Sequence, residues 1–217
     1  MSILHRYPWA ALVTGVALSG CTQGPVGDGV FLLLDTSGTY SEEVERARTV
    51  VGYLLGTLDP GDSFGVGRID GGSFSEKDIL ARTTFDRRPS VANDQKRQLM
   101  ESMGQFASTV QAAYHTDITG GMLQAVEWLN EVGPRTKTVL IFSDMEEDLP
   151  ENYVRDFPID LTGVRVIAIN VIKLNRDNVD PRLYLGRLEA WKARVEAGGG
   201  RWEVINDLER LDAALAT

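Results

Sequence analysis

Val30 to Leu34 forms an unbroken apolar block that ends at Asp35. A short run without polar alternation predicts a strand buried on both faces. Val44, Ala47, Val51, Leu54, Leu55 and Leu58 then fall at helical spacing, and Asp59-Pro60-Gly61-Asp62 supplies a stop and a turn. Phe64 to Ile69 and Ile79 to Phe85 read as two further strands with Gly71-Gly72 between them. Leu99, Met103, Phe106 and Val110 mark a second helix after Pro89-Ser90, and Met122, Ala125, Val126 and Leu129 a third. Thr138 to Phe142 is again strand-like, and Val164 to Ile172 is the longest β-branched run. A helix from about Pro181 carries Tyr184, Leu188, Trp191 and Val195 on one face and ends at Gly198-Gly199-Gly200. Trp202 to Ile205 and Leu208 to Leu215 give a last strand and a last helix.

Strands alternating with helices predict an α/β three-layer fold, with a mostly parallel central sheet and helices on both faces. No helix separates Phe64–Ile69 from Ile79–Phe85, so one of that pair should be an antiparallel edge strand. The connection from Met145 to Gly163 is long, and a short helix is expected around Glu151 to Arg155.

The first twenty residues stand apart from this pattern. A basic stretch around His5 and Arg6 precedes an apolar or small run from Trp9 to Leu18, then Ser19-Gly20-Cys21. This is the layout of a cleavable signal peptide, and the run is about half the ~20 residues that a spanning helix needs. Leu18-Ser19-Gly20-Cys21 resembles a bacterial lipobox. That resemblance implies lipidation at Cys21 and a lipid-anchored protein of the cell envelope, on the periplasmic face of a membrane in a Gram-negative cell. The organisation expected is a signal peptide over 1–20, a tether over 21–28 and one domain over 29–217.

Charge narrows the functions. Across 217 residues, 22 Lys and Arg face 31 Asp and Glu, a net charge of −9. Such a field repels phosphate backbones and anionic headgroups, so nucleic-acid binding through a basic face is not expected. One cysteine can neither pair within the chain nor build a cysteine-based zinc cluster.

In an open α/β sheet, ligands sit beyond the carboxyl ends of the strands. After the first strand stands Asp35-Thr36-Ser37-Gly38-Thr39, a carboxylate and two hydroxyls at alternate positions in a tight loop. Oxygens so placed can converge on a hard cation, although Ser37 or Thr39 could equally cap the helix that follows. Ser143-Asp144 follows the strand-like run Thr138 to Phe142, with Glu146-Glu147-Asp148 beyond it. Thr116-Asp117 precedes the third helix, where Asp117 is a natural N-cap.

These three separated motifs together resemble the metal-ion-dependent adhesion site of von Willebrand factor A-like domains. That site combines a D-x-S-x-S loop, a threonine before a later helix and an aspartate after the fourth strand. The matching residues are Asp35, Ser37 and Thr39, then Thr116, then Asp144, with Thr39 replacing the usual serine. The resemblance implies a bound Mg2+, with Mn2+ or Ca2+ as alternatives, and a protein partner that donates an Asp or Glu to the open coordination position. An all-oxygen ligand set with no His or Cys agrees with a hard cation.

Asp35-Thr36-Ser37-Gly38-Thr39 also resembles the D-x-T-G-T loop of haloacid dehalogenase-type phosphatases, which would make Asp35 a nucleophile in a magnesium-dependent enzyme. Ser37 stands where soluble members of that family usually carry a second aspartate, and Lys137 lies at the start of a strand, away from the rim. Gly65-Val66-Gly67 lacks the third glycine of a dinucleotide fingerprint, because Asp70 occupies that place. The expected class is therefore a binding module and not an enzyme. Glu146-Glu147-Asp148 reads as a solvated face, and His115 as a surface histidine beside Thr116.

Overall fold

The computed structural model describes residues 27–37, 44–169, 180–206 and 210–211. Its elements run β1 (Asp28–Asp35), α1 (Val44–Thr57), β2 (Ser63–Ile69), β3 (Ile79–Thr84), α2 (Pro89–Thr109), α3 (Ile118–Val132), β4 (Thr136–Phe142), β5 (Val164–Ile169), α4 (Pro181–Ala197) and β6 (Arg201–Ile205). They build a six-stranded sheet in the order β3-β2-β1-β4-β5-β6. Every pairing is parallel except β2 with β3, so β3 is the antiparallel edge that the missing helix predicts.

Continuous apolarity in β1 and β4 has the cause read from sequence: both strands are central and covered on both faces. Leu32 and Leu34 of β1 face a core built with α1 and α2 through Val51, Leu54, Leu99 and Met103. Phe31 and Leu33 face the opposite core, built with α3 and α4 through Met122, Leu129, Trp191 and Val195. The Phe31 ring meets Trp128 edge-on at 5.6 Å between centroids. Gly65 is what admits that ring, because a Cβ there would lie 2.4 Å from Phe31.

Several boundaries differ from the sequence pattern. β1 begins at Asp28, within the stretch read as tether, because the Asp28 amide donates to Asp62 Oδ1 at 2.7 Å and its carboxylate receives Arg135. β3 stops at Thr84, and Phe85 turns inward with its amide donating to the Asp62 carbonyl. Val110 is not in the helical stripe but caps α2 with extended backbone.

The expected helix around Glu151 to Arg155 does not form. Asn152 adopts a left-handed φ of 70°, and the chain from Val154 onward is irregular. The end of the Val164–Ile172 run lies outside the described residues, as does most of the expected last helix; of the latter, Arg210 and Leu211 are helical, with Leu211 buried beside α1's core. Among the described residues no helix is long and apolar enough to cross a membrane.

Candidate functional site at the carboxyl ends of β1 and β4

Strand order reverses between β1 and β4: successive strands run outward one way through β2 and the other way through β5. This switch leaves a crevice beyond their carboxyl ends. Leu34 and Phe142 are register partners, so the next residues, Asp35 and Ser143, emerge side by side. Asp35 Oδ2 accepts from Ser143 Oγ at 2.7 Å, while Oδ1 accepts from the Ser37 amide at 2.9 Å and Ser37 Oγ at 2.6 Å. Ser143 Oγ in turn accepts from the Met145 amide, bracing the turn in which Met145 takes a φ of 64°.

The loop before α3 is tied into the same crevice. Ala113 donates to the Thr36 carbonyl at 2.8 Å, and Thr116 exchanges backbone bonds with Asp148 at 2.7 and 3.0 Å. These bridges bring Ser37, Thr116 and Asp144 to the walls of one cavity of about 590 Å3, together with Tyr114, Glu146 and Asp148. Asp35 lies immediately beneath, bonded to Ser37 and only 3% exposed. Four of the five residues selected from the sequence thus meet at one place, and Thr39 lies outside the described residues.

Electrostatics set these carboxyls apart from ordinary surface acids. Burial pushes Asp35 up from its usual range, against the opposing hydrogen bonds from Ser37 and Ser143. Burial likewise pushes Asp144 up to about 6, aided by the negative charge of Asp35 and opposed by the Glu146 amide and Arg187. Two carboxyls that burial pushes up beside a polar cavity are stabilised as anions by a cation placed between them. Hydroxyls and carboxylates are the donors a hard divalent ion takes, so the residues present fit such an ion. Among the described residues no three His, Cys, Asp or Glu side chains converge as a ligand cluster, so Ser37 and Thr116 have to complete the set.

A sign follows for pH. An acid whose folded pKa is raised adds stability that is fully present below its unfolded value of 3.8 and is lost as pH rises through about 6. With chelator present, the domain should therefore melt higher at pH 5 than at pH 7.5. Discounted for the solvent that reaches Asp144, the gain is about 1 kcal/mol, or roughly 2–4 °C. Melting curves that shift the other way over this interval would contradict the assignment.

Three features escaped the sequence reading. Glu147 is not a solvated face: its Oε1 accepts the Thr119 amide at 2.7 Å, and its Oε2 pairs with Arg194 at 3.1 Å. Arg155 from the irregular loop reaches Asp117 at 2.7 Å and the Ser73 carbonyl at 3.0 Å, while Asp117 caps α3 through Gly120 as expected. Gly120 permits this convergence, since a Cβ there would lie 2.4 Å from Asp117 Oδ2 and 2.6 Å from the Ser73 carbonyl oxygen. Finally, the Arg187 guanidinium donates to the Asp144 carbonyl and Trp191 to that of Met145, so α4 holds the Asp144 turn from behind. His115 is partly exposed and meets Asp148 at 3.0 Å.

No protein-family model matches the sequence, and no curated protein matches it. Solved structures do. A von Willebrand factor type A protein from Catenulispora acidiphila superposes with a TM-score of 0.53 at 14% identity, over 88% of this chain and 41% of the solved one. The pilus adhesin SpaC from Lactobacillus rhamnosus GG, in its open conformation, gives 0.53 at 12% identity, over 90% of this chain and 29% of its own. This chain therefore spans about two fifths of the length of the first and under a third of the second. The fold is von Willebrand factor A-like, as the resemblance of the strand-end motifs implies.

Proposed function

We propose that this domain binds a divalent cation, Mg2+ in the cell, through Asp35, Ser37, Thr39, Thr116 and Asp144, and uses it to attach a protein partner. The observation that carries this reading is the meeting of Ser37, Thr116 and Asp144 in one open cavity above buried Asp35. Mn2+ or Ca2+ would satisfy the same oxygens. The ion supplies a Lewis-acid anchor for a partner's Asp or Glu. Asp35 and Asp144 provide the negative charge, Ser143 and Ser37 orient Asp35, and Arg187 fixes the Asp144 turn. SpaC, one of the solved neighbours, is itself an adhesin.

A nucleophilic Asp35 fits less well. Both its oxygens are engaged by serine donors, and the side chain is buried, whereas a phosphoryl acceptor needs an exposed, in-line oxygen. The N-terminal segment supports a lipid-anchored envelope protein through Cys21, which lies outside the described residues.

The experiment exposes immobilised full-length protein to cell-envelope extract with magnesium, and then elutes with chelator. Under this reading a protein elutes with chelator from wild type and is absent from Asp35→Asn. Phosphomonoester turnover that needs magnesium and disappears in Asp35→Asn, without a chelator-released partner, would overturn it.

A further inference from the structure

At the opposite end of the sheet lies a second cavity, of about 700 Å3, among the amino ends of β1, β4, β5 and β6. In a chain of net charge −9, its walls carry four cations: Arg135, Lys137, Arg165 and Arg201. Arg165 and Arg201 are register partners on adjacent parallel strands, so their side chains leave the same face of the sheet as neighbours. Like charges directly opposite one another destabilise a sheet unless an anion lies between them.

The acids around this cavity do not supply that anion. Asp28 is paired with Arg135 at 3.0 Å. Asp62 is buried, with its two oxygens taken by the amides of Asp28 and Asp59. Asp59 lines the far wall on the turn after α1, and Glu203 follows Arg201 two places along β6. Among the described residues neither Arg165 nor Arg201 makes an ion pair or hydrogen bond with any of them. Lys137 is not of this group: its side chain leaves the other face of the sheet, where its ammonium donates to Asn130 Oδ1 of α3 at 2.5 Å. The net charge opposes docking on an anionic surface through the domain as a whole, but not through this one cationic face, where two adjacent guanidiniums match the geometry of a single headgroup phosphate.

We infer that Arg165 and Arg201 form a phosphate-binding site, and that its phosphate is that of an anionic lipid headgroup. The source follows from where the chain enters. The Gly27 carbonyl accepts from the Arg135 amide, so the polypeptide joins the domain at the rim of this cavity. Cys21 is six residues earlier, a reach of at most about 20 Å. This half of the inference rests on the lipid-anchor reading. An anchor at Cys21 holds the cationic cavity close to the headgroups, while the candidate metal site, at the other ends of the strands, faces away from the membrane.

The test incubates full-length protein with vesicles of phosphatidylcholine alone or with added phosphatidylglycerol, measures the bound fraction, and titrates the same protein with inorganic phosphate by calorimetry. Wild type should prefer the phosphatidylglycerol vesicles, and Arg165→Gln and Arg201→Gln should each cut that preference about fivefold. Arg201 is exposed, so its variant should fold even where the half-buried Arg165 variant does not, and its melting temperature verifies this. Loss of the anchor lowers binding to both vesicle types equally and leaves the preference in place, so the two failures are distinguishable. Phosphate binding that both variants lose, without any lipid preference, would keep the site and overturn the headgroup as its source. Equal lipid preference and equal phosphate affinity in wild type and both variants would overturn the site itself.

Discussion

Asp35→Asn should make the metal-free domain more stable and the metal-loaded domain less so. Folding buries Asp35 to 3% exposure and raises its pKa, so at neutral pH the ionised carboxylate costs free energy that no cation offsets when metal is absent. An amide keeps one oxygen for the Ser37 amide and hydroxyl, turns the other position, where Ser143 Oγ now donates at 2.7 Å, into an NH2 that can donate to Ser143 Oγ, and carries no charge. In chelator the variant should melt about 2–4 °C above wild type, the shift expected of ~1 kcal/mol in a domain of this size. In excess magnesium the order should reverse, because wild type gains binding energy and the variant has lost about 100-fold or more in affinity. A variant that melts below wild type in chelator and still responds to magnesium would show that Asp35 serves packing and not a cation.

Arg155→Ala should be the most destabilising single change outside the apolar core. Its guanidinium is 17% exposed and pairs with Asp117, whose side chain is fully buried. Removing one partner of such a pair leaves the other as a buried charge, at a cost of about 3–5 kcal/mol. Asp117 would keep only the Gly120 amide, and the loop from Met145 to Gly163 would lose its tie to the Ser73 carbonyl. Denaturant unfolding of wild type and variant checks this, and a loss below about 1 kcal/mol would mean that solvent already screens the pair. Arg155→Lys should recover only part of the loss, because an ammonium cannot reach both Asp117 oxygens and the Ser73 carbonyl in the same fork.

Strand and helix identities were legible in the chain because the signals were strong and local. A strand covered on both faces has to be apolar throughout, and β1 and β4 are; a helix covered on one face has to show a stripe, and α1 and α3 do. The antiparallel edge was legible from the missing helix between β2 and β3. Candidate site residues were legible because a sheet of this kind leaves its crevice directly beyond the central strands, where Asp35 and Asp144 stand.

What escaped depends on contacts between distant residues. Nothing local distinguishes Glu147 from a solvated acid; its role comes from the N-terminus of α3 and from Arg194, which lies 47 residues further on. The segment around Glu151 to Arg155 looked helical, yet Asn152 turns left-handed and Arg155 is drawn away to Asp117, an ion pair that outweighs one turn of helix. Arg165 and Arg201 are unremarkable in sequence and become a pair only through the register of β5 and β6.

The central claim is that Asp35, Ser37, Thr116 and Asp144 hold one divalent ion. Titrating full-length protein with Mn2+ while following the free-ion signal by electron paramagnetic resonance tests it most directly. The expected result is one bound Mn2+ per chain, displaced by excess Mg2+ and lost in Asp35→Asn. Free Mn2+ equal to total Mn2+ throughout the wild-type titration, or the same binding curve for wild type and Asp35→Asn, would contradict it.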